Sequence, residues 1–97
     1  MNALPDGWFE VSVTEARGFE AELKKEMSPA HPLSGLEAQC VARRKDRDDF
    51  LFRFPGAQRP LAVVHLTWHV EKSADFPWTT FFDSDDDFEV NWRRIFD

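Results

Sequence analysis

The chain is poor in the residues that build easily recognised functional sites. It carries a single cysteine, Cys40, in 97 residues. An internal disulfide is thereby excluded, and a lone thiol accords with a reducing cytoplasm. Four glycines supply no glycine-rich loop of the kind that cradles phosphates. No apolar run approaches the ~20 residues of a membrane-spanning helix. The opening stretch MNALPDGWFE has neither the basic start nor the apolar segment expected of a signal peptide. Basic residues are in deficit too: 12 Lys and Arg face 18 Asp and Glu, for a formal charge of −6. Nucleic acid is bound chiefly by neutralising phosphates, so it is an unfavoured partner.

What is abundant is aromatic mass. Ten Phe and four Trp lie in a chain that is 42% hydrophobic, enough for a core and against wholesale disorder. No repeat, low-complexity tract or linker divides the chain, so residues 1–97 read as one domain. Trp8 to Val13 alternates weakly, as a short strand would. Ser12 and Glu15 have the spacing of a capping box, in which hydroxyl and carboxylate satisfy each other's orphan amides. Ala16, Phe19, Leu23 and Met27 then recur at helical spacing until Pro29 ends the helix. After a loop over residues 28–35 the period changes to two. Ala38, Cys40 and Ala42 share one side of a strand; Phe50, Phe52 and Phe54 share one side of the next. Leu61 to Val70 is the most strand-like segment, with Ala62, Val64, Leu66 and Trp68 facing one way and Val63, His65, Thr67 and His69 the other. Thr79 to Phe82 fits a short last strand. Ser84 and Asp87 mark a second helix start, followed by the stripe Phe88, Trp92, Ile95 and Phe96. The pattern predicts an α+β fold: a three- to four-stranded antiparallel meander with the N-terminal and C-terminal helices packed on one face.

Catalytic and metal patterns fail individually. His65 and His69 are four apart, a zinc spacing on a helix, but on a strand four residues span roughly 13 Å and cannot share one ion. Asp83-Ser-Asp85-Asp-Asp87 begins like a calcium loop. It places Phe88 and Arg94 where that loop needs Gly and a bidentate Glu. Cys40 alternates with alanines, as a small buried residue does, rather than standing in the electropositive setting of a nucleophile. Arg43, Arg44, Lys45 and Arg47 cluster beside Asp46, Asp48 and Asp49, which nearly cancel them. No catalytic, metal-binding or cofactor-binding residue is assigned.

His31-Pro-Leu33, Ala42-Arg-Arg44, Asp48-Asp49-Phe-Leu-Phe52, Leu61-Ala-Val-Val-His-Leu-Thr-Trp68 and Pro77-Trp-Thr-Thr-Phe81 together resemble a set of small uncharacterised bacterial proteins. The resemblance spans roughly residues 14 to 90 and implies a bacterial cytoplasmic protein. It carries no activity.

The functional expectation is a non-enzymatic protein-interaction or regulatory module. Its candidate face is the open side of the sheet, comprising Arg53, His65, Thr67, His69 and Trp78. Such a mixture of aromatic, Arg and His side chains suits a protein contact. The acids around Asp83–Asp87 would meet a basic partner. The alternative is a small-molecule-binding domain or small enzyme using His65 or His69 beside His31 or Asp49. A homodimer through a free edge, Ala38–Arg43 or Thr79–Phe82, stays open.

Overall fold

A computed structural model describes residues 4–45, 47–72 and 76–93. The elements run β1 (Trp8–Glu10), α1 (Val13–Glu26), β2 (Gln39–Arg44), β3 (Asp49–Arg53), β4 (Leu61–His65), β5 (Trp78–Phe82) and α2 (Asp85–Asn91). All neighbouring strands pair antiparallel in one five-stranded sheet of order β1-β2-β3-β4-β5. The meander is as predicted, with one strand more than the three or four expected. Both weak flanking segments are paired: Trp8–Glu10 adds to β2, and Trp78–Phe82 adds to β4.

Both helix starts form as the sequence foretells. The Ser12 hydroxyl accepts the Glu15 amide and the Glu15 carboxylate accepts the Ser12 amide, each at 3.1 Å. Ser84 caps α2 by accepting the Asp87 amide at 3.0 Å. Ile95 and Phe96 of the expected second stripe lie outside the described residues, as does Arg94.

The two helices do not share a face, contrary to expectation. α1 packs Ala16, Phe19 and Leu23 over Cys40, Phe50, Phe52, Phe54, Ala62, Val64 and Leu66. α2 packs Phe88 and Trp92 over Trp8, Ala42, Leu51, Leu61, Val63 and Phe82 on the opposite face. Phe88 meets Trp8 and Phe82 edge-on, with ring centroids 5.2 and 5.4 Å apart. The physical reason lies in β3 and β4: nearly every residue is buried, not every second one, so each face needs its own cover.

Two further corrections concern strand geometry. A bulge between Cys40 and Ala42 breaks the expected alternation. Cys40 opposes Phe52 on the α1 face, whereas Ala42 opposes Leu51 on the α2 face. The extra residue is what flips the side. β2 is also interior, between β1 and β3, so Ala38–Arg43 is no free edge. Beyond the end of β1, the Cys40 amide donates to the Glu20 carboxylate of α1 at 2.8 Å. β5 is an edge strand, as expected for Thr79–Phe82. Its flank is partly occupied: the Pro77 carbonyl accepts from His31 Nε2 at 2.9 Å and the Phe81 carbonyl from Arg59 at 3.3 Å.

β4 stops at His65, short of the predicted Val70. The chain then leaves the sheet because the buried Glu26 carboxylate, at the end of α1, accepts the Thr67 and Trp68 amides at 2.8 Å each. Among the described residues no helix is long and apolar enough to cross a membrane.

Phe88 is fully buried, against Trp8 of β1 and Phe82 of β5. Phe88→Ala is expected to cost about 3–5 kcal/mol, read as a lower urea midpoint. A loss below about 1 kcal/mol would mean that α2 is not docked there.

Candidate functional site

α2 spans seven residues, about 10 Å of helix. Among the described residues it covers the end of its face where Leu61, Leu51 and Phe82 lie and leaves the other end open. At that open end, strand register places Asp49, His65 and Trp78 side by side, with Val63 and Thr80 one rung further along. Together with Arg47 they line a recess of about 90 Å³.

The recess has a defined internal chemistry. Asp49 is 3% exposed. Its Oδ1 lies 2.9 Å from His65 Nδ1, and its Oδ2 lies 3.0 Å from Arg47 Nε. An ionised carboxylate only accepts, so Nδ1 carries the proton and donates. The imidazole then presents its Nε2 lone pair outward, as an acceptor or base. Trp78, 59% exposed, supplies a large flat surface beside it. Alternation on β4 pointed to His65; Trp78 was expected at the rim of the face, at the end of a loop before Thr79, and the structure places it in β5 itself. Asp49 and Arg47 flank a charged turn and carried no such signal, beyond Asp49 as one alternative partner for a histidine.

The other predicted face residues are dispersed. Arg53 points to the α2 face but is held at 3.1 Å by Asp85 at the start of that helix. Thr67 has left the sheet: its hydroxyl lies 3.0 Å from Glu26 Oε1 and from Glu71 Oε2. His69 sits exposed in the same turn, outside β4, so it does not join His65. His31 is buried elsewhere, accepting the Leu33 amide at Nδ1 and bonding the Pro77 carbonyl through Nε2. The expected five-residue stripe therefore reduces to His65 and Trp78, joined by Asp49, Arg47 and Thr80.

The charge clusters are absorbed into the fold. Arg43 lies over the Phe19 and Phe50 rings on the α1 face, and Arg44 over Trp8 and Trp92 on the α2 face. The basic run is thus split across the sheet. Asp83 pairs with Arg59, Asp85 with Arg53, and Asp87 accepts the Asp83 amide and the Asn91 side chain. Among the described residues no group of three or more His, Cys, Asp or Glu is placed to hold a metal ion. A larger groove of about 480 Å³ runs between α1 and residues 35–38. Its lining Glu20 is already engaged by the Cys40 amide.

Comparison with family models, with curated proteins and with solved structures found no match.

Burial, reinforced by the Glu20 carboxylate, pushes the Cys40 thiol up to about 12. Native protein should therefore react with a thiol reagent only at the rate of unfolding, and prompt labelling at neutral pH would contradict this. A second outcome concerns His65. Nitrogen-15 shifts of the imidazole should show the proton on Nδ1. In Asp49→Ala the ring should revert to the Nε2-protonated form that free imidazole side chains prefer. An unchanged tautomer would show that Asp49 does not orient the ring.

Proposed function

We propose that this chain is a small, acidic, non-enzymatic interaction module of a bacterial cytoplasm. It engages a partner protein through the end of the sheet face that α2 leaves open. The observation carrying this reading is the exposed Trp78 beside an oriented His65, over a recess of about 90 Å³. That volume admits one side chain of a partner, whereas pockets for small-molecule ligands run to roughly 300–1,000 Å³. Trp and Arg beside a small recess are also residue types enriched in interface hot spots. The formal charge of −6 favours a partner with a basic surface. A second copy of the chain is the less favoured occupant, since the His31 and Arg59 side chains already take carbonyls along the β5 flank.

A second reading, a small enzyme or ligand-binding domain, draws on the 2.9 Å Asp49–His65 contact. That pairing is how a general base is oriented. His69 does not contribute to it, being in the turn beyond β4.

The test is capture from cell lysate at low and moderate salt with the full chain as bait. Trp78→Ala and His65→Ala should each weaken retention of a stoichiometric partner about tenfold or more, the scale of a hot-spot residue. Val90→Ala, on the exposed side of α2, should not. Equal retention by all three variants would refute the assigned face. Metabolite turnover that is lost in His65→Ala, with no protein retained, would establish the second reading instead.

A further inference from the structure

The turn that follows β4 holds one residue in a conformation its type avoids. Trp68 has φ +62°, in the left-handed region, which is a steric outlier for so bulky a side chain. Among the described residues no other non-glycine residue has a positive φ. The conformation is enforced by Glu26 at the end of α1, a side chain with no exposed surface. Its Oε1 accepts the Thr67 amide and its Oε2 the Trp68 amide, each at 2.8 Å. The Glu71 amide closes the turn by donating to the Glu26 carbonyl at 3.1 Å. So placed, the indole lies edge-on to Phe19 and Phe50, with centroids 6.5 and 6.2 Å away, yet Trp68 is 47% exposed. Burial alone therefore does not account for the strain, and backbone strain of this kind clusters where a structure clamps a ligand.

The same two phenylalanines carry a cation. The Arg43 guanidinium lies over the Phe19 and Phe50 rings, 5.2 and 5.3 Å from their centroids. Half-buried there, it has no carboxylate partner among the described residues. Its neighbour across the sheet is Phe9, which pairs with it in register and so stands on the same face about 5 Å away. Phe9 is 49% exposed. Phe9, Arg43, Phe19 and Trp68 thus form a strip on the α1 side of the sheet, each beside the next. Its two ends are exposed aromatic rings, and between them lies a fork of N–H donors with no carboxylate to meet it.

We propose that this strip is a second binding surface, and that it takes a peptide segment in which a carboxylate side chain lies between apolar ones. A guanidinium matches a carboxylate with two parallel N–H···O bonds. The rings beneath Arg43 already restrict it, so less rotamer freedom is lost when the segment arrives. Phe9 and Trp68, on either side, cover the apolar neighbours and keep water from the ion pair, which is the arrangement of an interface hot spot. A single guanidinium suits one carboxylate rather than a run of phosphates, and a chain of formal charge −6 repels a polyanion. The segment is therefore peptide and not nucleic acid. The strip lies on the opposite side of the sheet from the Trp78 recess and does not depend on the function proposed for that recess.

Nitrogen-15 amide and indole shifts of the full chain, titrated with end-capped tripeptides, read the strip directly. The probes are leucine–glutamate–leucine and its glutamine counterpart. The glutamate peptide should shift Phe9, Arg43 and Trp68 together and saturate in the millimolar range. It should bind about fivefold more tightly than the glutamine peptide, the difference between a charge-assisted and a neutral hydrogen bond. Arg43→Lys keeps the charge and removes the fork, so the preference for glutamate should fall to about twofold or less. Phe9→Ala, at an exposed position, should weaken both peptides alike. Equal binding of the two peptides would overturn the proposal, as would shifts centred on Trp78 or no shifts at millimolar peptide. An oligothymidylate that shifts the strip at lower concentration than the glutamate peptide would overturn it in favour of nucleic acid.

Discussion

Two helices of unequal length must cover the two faces of one sheet, and the shorter is not long enough. Strands of five residues are roughly 17 Å long, and five of them side by side extend about 19 Å. α1, with 14 residues and about 21 Å of length, matches that span. α2, with seven residues, does not. The sheet is apolar on both faces, so whatever α2 fails to cover must be satisfied by polar residues or left available. At the open end the chain does both. Asp49 is bonded to His65 through Oδ1 and paired in charge with Arg47 through Oδ2, and Trp78 is left available.

Much of this architecture was legible in the sequence, and its failures have identifiable causes. The capping box at Ser12, the Ser84 start of α2, and the inward side of Phe50, Phe52, Phe54, Val64 and Leu66 all follow from spacing. The assignment of both helices to one face failed because apolar residues on the second side of β3 and β4, Leu51, Leu61 and Val63, were not counted as a core of their own. Period-two reading also assumes an unbroken strand. The bulge before Ala42 adds one residue and reverses the side of everything after it.

The site was only half legible for a similar reason. His65 lies on β4 where alternation places it, but Thr67 and His69 were carried along by a pattern that outlasts the strand. A single buried carboxylate on α1, distant in sequence, takes the amides that a longer strand would have paired. No local signal at Glu26 distinguishes it from the other acids of its helix. Asp49 was obscured likewise, because a charged turn reads as a solvated tip until β4 brings His65 beside it. Long-range pairing of a buried polar group is what single-sequence periodicity does not encode.

Unequal coverage of the α2 face is the central claim, and relaxation enhancement by a soluble neutral gadolinium chelate measures it residue by residue. Strong enhancement at His65, Trp78 and Thr80, beside weak enhancement at Leu51, Leu61, Phe82 and Phe88, is the predicted profile. Uniform protection along β4 and β5, or strong enhancement at Leu61 and Phe82, would contradict it.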